Sequence, residues 1–292
     1  MSVASQSLDA LRREIDTIDD QMHDLLMRRA EVVGSIGAVK SRADRADPAI
    51  RPGREAEILR RLVRRHRGRV PASVVVRMWR EMVAAFIQMQ GPFTVAVHAP
   101  DGSVDHWDLA RDYYGSCTEM TPYPTARRVV RAVARGGATI GVLPLPRDGE
   151  PEPWWRHLME FGDAMPRVIA RLPFIAPDSA RRDPPGALVI ARLEHEATGH
   201  DVSLFAVKTG ADVSRTQLEE WFAAVGLPAR DVAIWQVAGS PCFHLVEVAD
   251  FVAESESRLA ALHDAMGQVA GRVVALGGYA VPVEVTETRP AG

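Results

Sequence analysis

Residues 8–42 read as one uninterrupted amphipathic helix, and that length decides more about the fold than any other feature. Leu11, Ile15, Ile18, Met22, Leu25, Val32 and Ile36 recur at spacings of three, four and seven, the period of a helix with one packed face. Ser7 stands where a cap belongs. Ala43–Gly53 contains Pro48, Pro52 and Gly53 and reads as a loop. A second helix is expected from about Arg54 to His66, with Ile58, Leu59 and Leu62 apolar. A third is expected from Pro71 to about Gln90, burying Val75, Met78, Trp79, Met82, Val83, Phe86 and Ile87. The first helix is far longer than one small core needs. An all-α bundle of three helices that shares its core with a second copy, an intertwined dimer, is therefore expected.

Two cations interrupt the first stripe. Arg29 and Lys40 lie on or beside it, and eleven residues bring the chain back to within about 20° of the same azimuth. Neither has an acid one turn toward its N-terminus. A charge directed inward without a local partner is costly unless something anionic meets it. An anionic ligand is the expectation.

Composition narrows the classes. The 292 residues predict two or three domains, with 47% hydrophobic and 25% charged residues, ordinary for a globular protein. No apolar run reaches membrane-spanning length, and the start resembles no secretory signal. Cys117 and Cys242 form no CxxC or cysteine–histidine cluster, so a reduced cytoplasm, no metal and no cofactor are expected. Residues 1–91 hold 17 Lys+Arg against 12 Asp+Glu, a balance of +5, and the remainder holds 18 against 26, a balance of −8. The arginine run at positions 60, 61, 64, 65, 67 and 69 lacks interleaved aromatics. It reads as a solvated helix face, and neither a nucleic-acid nor a membrane partner is expected.

After Gly91-Pro92 the period changes. Phe93–His98 alternates like a strand, a glycine loop follows, Ala126–Arg135 looks helical, and Thr139–Leu143 is an apolar strand ending at Pro144. Residues 146–153 and 176–186 read as loops, with a helix near Trp154–Phe161 and a strand at Val168–Leu172 between them. The last third offers strands at Val202–Lys208, Val232–Val237, Phe243–Val248 and Val273–Leu276, and helices at Arg215–Val225 and Ser257–Val269. Their order is βαββαβ, a ferredoxin-like half-sandwich.

The polar residues expected inside the bundle complete a pattern: Ala10-Leu11-Arg12, Leu25-Leu26 leading to Arg29, Gly37-Ala38-Val39-Lys40, Arg54-Glu55-Ala56-Glu57-Ile58-Leu59, and Gln90. Over residues 8–90 this resembles the all-helical (AroQ-class) chorismate mutases. That resemblance implies conversion of chorismate to prephenate by a concerted Claisen rearrangement in aromatic amino acid biosynthesis. Such a reaction needs no nucleophile, only a held conformer and stabilised charge at the ether oxygen. It implies that Arg29, and Arg12 from the partner subunit, grip the two carboxylates with guanidinium forks. Arg54 would orient neighbouring groups, Glu55 would accept the substrate hydroxyl, and Lys40 and Gln90 would donate to the ether oxygen. Two departures stand out: Arg51 occupies a place where the family often has an acid, and Phe86 one where it often has a small hydroxyl residue.

Residues 92–195 resemble prephenate dehydratase at Phe93–Val97, at Asp101-Gly102-Ser103 with His106, and at Gly141-Val142-Leu143-Pro144. Leu145-Pro146-Arg147 stands where a Pro-Ile-Glu-Asn sequence belongs, and Gly186-Ala187-Leu188-Val189 replaces the Thr-Arg-Phe motif. A truncated remnant without dehydratase activity is expected. Residues 200–285 resemble an ACT domain, a class that binds amino acids. Ala211-Asp212-Val213-Ser214 and Gln236-Val237-Ala238-Gly239 stand where its phenylalanine signatures belong, so an amino-acid effector is doubtful and a structural or dimerising role is favoured. Three readings remain open beside the mutase: a non-catalytic regulatory protein, an isochorismate pyruvate lyase, and a residual bifunctional mutase–dehydratase.

Overall fold

The computed structural model describes residues 7–42, 49–101, 103–160, 165–175, 185–237, 240–253, 255–267 and 270–284, with backbone alone at 40–42 and 270. The chain divides into two compact units, residues 1–50 with 85–92 and residues 51–84 with 93–292.

In the first unit, α1 (Leu8–Arg42) is one helix of 35 residues, as its periodicity predicts. Ser7 caps it, its Oγ accepting the Ala10 N–H at 3.2 Å. Its apolar row is exposed in the single chain: Ile15, Ile18, Met22, Leu25, Val32 and Ile36 all stand in solvent. The last turn of α3 (Ala72–Gln88) belongs to this unit, with Phe86 and Ile87 buried.

The second unit begins with α2 (Pro52–Arg65), opened by a proline whose missing N–H costs a helix start nothing. Ala56 and Leu59 are buried, and Arg60 is half-buried. Its guanidinium donates to Thr198 Oγ1 at 2.7 Å, His200 O at 2.7 Å and Val281 O at 3.0 Å. The first residue of the basic run is thus a structural fastening. Of the face expected on α3, Phe86 and Ile87 are buried and Val75, Trp79, Met82 and Val83 are half-buried. Ala72, Val76, Arg80 and Ala84 are buried, whereas Met78 is 51% exposed.

The rest is a nine-stranded sheet in the order β2-β1-β3-β5-β4-β9-β6-β8-β7 among the described residues. β1 (Thr94–His98), β2 (Glu119–Tyr123) and β3 (Ile140–Pro144) run parallel, crossed by α4 (Asp105–Tyr114) and α5 (Ala126–Ala134). The expected glycine loop after His98 holds both α4 and β2. The sheet edge leaves β2 mostly exposed, so Glu119-Met120-Thr121-Pro122-Tyr123 carries no apolar alternation to read. The segment Trp154–Met159 is a 3-10 helix, and β4 (Arg167–Leu172) pairs antiparallel with β5 (Ala187–Ala191), a fully buried run. The expected loop at 176–186 falls largely outside the described residues.

The C-terminal part follows the predicted order: β6 (Asp201–Thr209), α6 (Arg215–Ala224), β7 (Ala229–Trp235), β8 (Cys242–Val248), α7 (Ser257–Met266) and β9 (Ala270–Ala280). The antiparallel order β9-β6-β8-β7 is that of a ferredoxin-like half-sandwich. Phe205, Val207, Leu218, Phe222, Val246, Val248 and Leu262 fill the space between sheet and helices. Within it, His244 Nδ1 lies 2.7 Å from Asp231 Oδ2 and its Nε2 lies 3.2 Å from Thr209 Oγ1.

Candidate functional site

Three of the predicted site residues meet in the first unit. Arg29 sits half-buried on α1, its guanidinium 4.6 Å from the centre of the buried Phe86 ring. Its Nη1 is shielded from solvent and has no hydrogen-bond partner among the described residues. Burial pushes the Arg29 pKa below its ordinary value, the signature of a cation that has lost water without gaining an acid. Gln90 Nε2 donates to Phe86 O at 3.1 Å, and a Cβ on Gly37 of α1 would lie in ordinary contact with the Gln90 stem, 3.9 Å away. Phe86 therefore touches both predicted ligands, with its ring toward one and its carbonyl toward the other. Chemically, a shielded guanidinium nitrogen lacking an acceptor calls for an anion.

Other predicted members are placed differently. Arg12 is exposed in the single chain, 3.5 Å from Asp9. Lys40 lies on α1, and its side chain falls outside the described residues.

In the second unit, Arg51 Nε pairs with Glu196 Oε1 at 2.8 Å, and Arg54 Nη1 with Glu57 Oε2 at 3.0 Å. Glu55 is buried, and its Oε2 accepts from Arg80 Nη1 at 2.5 Å while its Oε1 accepts the Arg51 N–H at 3.4 Å. Arg80 is buried with it. Its guanidinium lies 3.5 Å from the centre of the Tyr113 ring and donates through Nε to Tyr113 O at 2.7 Å. Burial works against the Arg80 charge, yet Tyr113 and Glu55 outweigh it and the pKa is raised.

Sequence reasoning missed Arg80. The signal was present, since Arg80 sits four residues from both Val76 and Ala84 on the buried row of α3. It is the same anomaly that marks Arg29. Among the described residues, no cluster of His, Cys, Asp and Glu could hold a metal ion, and no helix is long and apolar enough to cross a membrane.

Residues 11–91 match the family described as Chorismate mutase type II. The chain is 32% identical over 144 residues to a bifunctional chorismate mutase/prephenate dehydratase of Aquifex aeolicus, covering 48% of this chain and 39% of that protein. It is 29% identical over 146 residues to the protein of the same description from Pseudomonas aeruginosa, covering 49% and 40%. The chain thus spans about two-fifths of the length of these relatives. A solved structure of prephenate dehydratase from Streptococcus mutans aligns at 13% identity and a TM-score of 0.45, over 66% of this chain and 100% of that one. The helical segment that matches the chorismate mutase type II family is thus followed in the chain by an α/β sheet region.

Proposed function

We propose that this chain is a chorismate mutase, an isomerase that rearranges chorismate to prephenate. The carrying observation is the shielded, acid-free Arg29 guanidinium inside a segment that matches the mutase family. In this reading Arg29 and the partner's Arg12 hold carboxylates, and Lys40 and Gln90 donate to the ether oxygen as charge develops there. Arg54 and Glu55 orient the ring and its hydroxyl, and Arg51 and Phe86 tune the pocket. The exposed apolar row of α1 supports a homodimer, and the free thiols Cys117 and Cys242 suit a reduced, cytoplasmic setting. Dehydratase activity is absent in this reading. Leu172 and Ala187 are already strand neighbours, so little chain remains between them for the second wall of a cleft.

The test is the purified full chain with chorismate, followed by the loss of its ultraviolet absorbance. Turnover is expected, with Arg29→Ala lowering kcat/KM by at least about a hundredfold. A folded protein without turnover overturns the reading, and pyruvate release from isochorismate in a parallel assay reassigns it to a lyase. Conversion of prephenate to phenylpyruvate overturns the loss of dehydratase activity.

A second reading, a non-catalytic binding protein, draws on two contacts. Phe86 covers Arg29 and Arg80 engages Glu55, so two groups the reaction requires are already occupied. It predicts that a bicyclic transition-state analogue leaves the melting temperature unchanged.

A further inference from the structure

One face of α3 is given over to the corner where α4 ends. Arg77, Arg80, Glu81 and Ala84 follow the i, i+3, i+4, i+7 spacing of a single helix face, and each meets that corner. Arg77 is ion-paired with Asp112. Arg80 Nε donates to Tyr113 O at 2.7 Å. The Glu81 carboxylate accepts the Ser116 N–H at 3.0 Å and the Ser116 hydroxyl at 2.6 Å. Gly115 holds φ +86°, and a Cβ on it would lie 2.8 Å from the Ala84 Cβ, so glycine lets the corner close on the helix. The Arg77 and Glu81 contacts are exposed, whereas Arg80 runs inward to Glu55, with side chains 2% and 8% exposed.

We propose that Arg80 is a positioning residue of the mutase site, and that the α/β region, through Tyr113, sets Arg80 in place. The inference rests on the mutase reading, in which Glu55 accepts the substrate hydroxyl. A guanidinium is a rigid planar fork, so fixing one edge aims the other. The Tyr113 carbonyl takes Nε, and the Tyr113 ring lies 3.5 Å from the guanidinium centre. Nη1 is thereby delivered to Glu55 Oε2 at 2.5 Å. Without Arg80, the carboxylate would keep only the long contact from the Arg51 N–H, 3.4 Å to Oε1, and would be free to turn.

Being held does not use up the acceptor. A carboxylate offers about four lone-pair sites, and Arg80 and the Arg51 N–H take one each. A ligand hydroxyl is then received by an oxygen whose direction is already fixed, which removes an ordering cost from the reaction. The α/β region gains a part in the proposed chemistry that needs none of the dehydratase motifs. Tyr113 and Ser116 act from outside the segment that matches the mutase family, residues 11–91.

Chorismate turnover by the full chain tests the proposal, measured for Arg80→Lys, Tyr113→Leu and Glu55→Gln, singly and in pairs. Arg80→Lys keeps the charge and loses the fork, and should lower kcat/KM at least about tenfold. Tyr113→Leu removes the ring and leaves the backbone acceptor, and should lower kcat/KM about tenfold. Neither loss should add to that of Glu55→Gln, because each acts through that carboxylate. A residue that only held the fold together would lower both backgrounds by the same factor. Circular dichroism checks that each variant is folded, and Tyr113→Leu carries the test if Arg80→Lys is not. The proposal is overturned if a folded variant keeps the wild-type kcat/KM, or if its loss recurs in full on Glu55→Gln. A wild-type chain without turnover fails the mutase reading and the positioning role with it, whereas turnover with unaffected variants removes the positioning role alone.

Discussion

The two units of this chain spend the same helical period on opposite outcomes. In the C-terminal half-sandwich, Leu218 and Phe222 of α6 and Leu262 of α7 are sealed against Phe205, Val207 and Val246, all fully buried. On α1, Ile15 and Leu25 recur with equal regularity and are 57% and 66% exposed. Exposed apolar rows of that length are not a solvated resting state for a soluble helix. The half-sandwich completes its core from its own residues. The long helix carries half of a core and needs the other half from elsewhere; in the proposed dimer a second copy with the same row supplies it. An interior cation such as Arg29 then stands beside an interface rather than beside water.

The largest effect separates these two situations directly. Leu25→Glu should abolish the proposed dimer, read as a halved mass by analytical ultracentrifugation, while leaving the melting transition of the sheet in place. Leu218→Glu buries a charge in a filled core and should unfold the sheet region instead. A wild-type chain that sediments as a monomer at all concentrations refutes the shared core.

Next in size is the Arg80–Glu55 pair. Removing one partner of a buried ion pair strands the other, at a cost of about 3–5 kcal/mol. Arg80→Met should therefore lower stability in urea by that amount, since Glu55 loses its donor and Tyr113 its cation. Arg80→Met combined with Glu55→Leu should recover most of the loss, a coupling measured by a double-mutant cycle. If the double variant is no more stable than Arg80→Met, the pair does not act as a unit.

These residues also mark where the sequence could and could not be read. The helices at 8–42, 52–65 and 72–88 and the βαββαβ order were legible because their apolar spacings survive into the fold. Arg29 was legible as a cation on an apolar stripe, and it does meet Phe86, whose carbonyl accepts from Gln90. α4 was passed over because its opening, Asp105-His106-Trp107-Asp108, is half polar and follows a glycine-containing turn. The row through Val76, Arg80 and Ala84 of α3 was visible in the spacing, but the burial of its cation has a non-local cause. Arg80 becomes a core residue only because Tyr113 and Tyr114, more than thirty residues on, receive it.

A smaller effect belongs to the sheet alone and depends on pH. The Tyr279 hydroxyl donates to Glu247 Oε1 at 3.0 Å and accepts from Arg171 at 3.1 Å. Burial first, then the Glu247 charge, push its pKa up to about 12. The unfolded chain releases this proton near pH 10 while the folded chain keeps it. The resulting stability, about 2–3 kcal/mol, is whole below pH 10 and is lost as pH rises from 10 to 12. Urea titrations across that range should show the decline, and Tyr279→Phe should flatten its share. A decline unchanged in Tyr279→Phe assigns it to Tyr113 and Tyr114, whose pKa values burial also raises.

The smallest effect compares two serines doing one job in the two regions. Ser214 caps α6, its Oγ accepting the Gln217 N–H at 3.2 Å, and Ser7 caps α1 through the Ala10 N–H at the same distance. An alanine at a cap costs about 1 kcal/mol where the helix end is held by the rest of the fold. α6 is so held, through Leu218 and Phe222, so Ser214→Ala should lower the main unfolding transition by about that amount. The first turn of α1 carries Leu8 at 63% exposure and is free to fray without disturbing anything packed against it. Ser7→Ala should therefore leave the main transition unchanged and show itself only as faster amide exchange at Ala10 and Leu11. If both substitutions shift the transition equally, the start of α1 is anchored as firmly as the half-sandwich, and the contrast between the two regions does not extend to the helix ends.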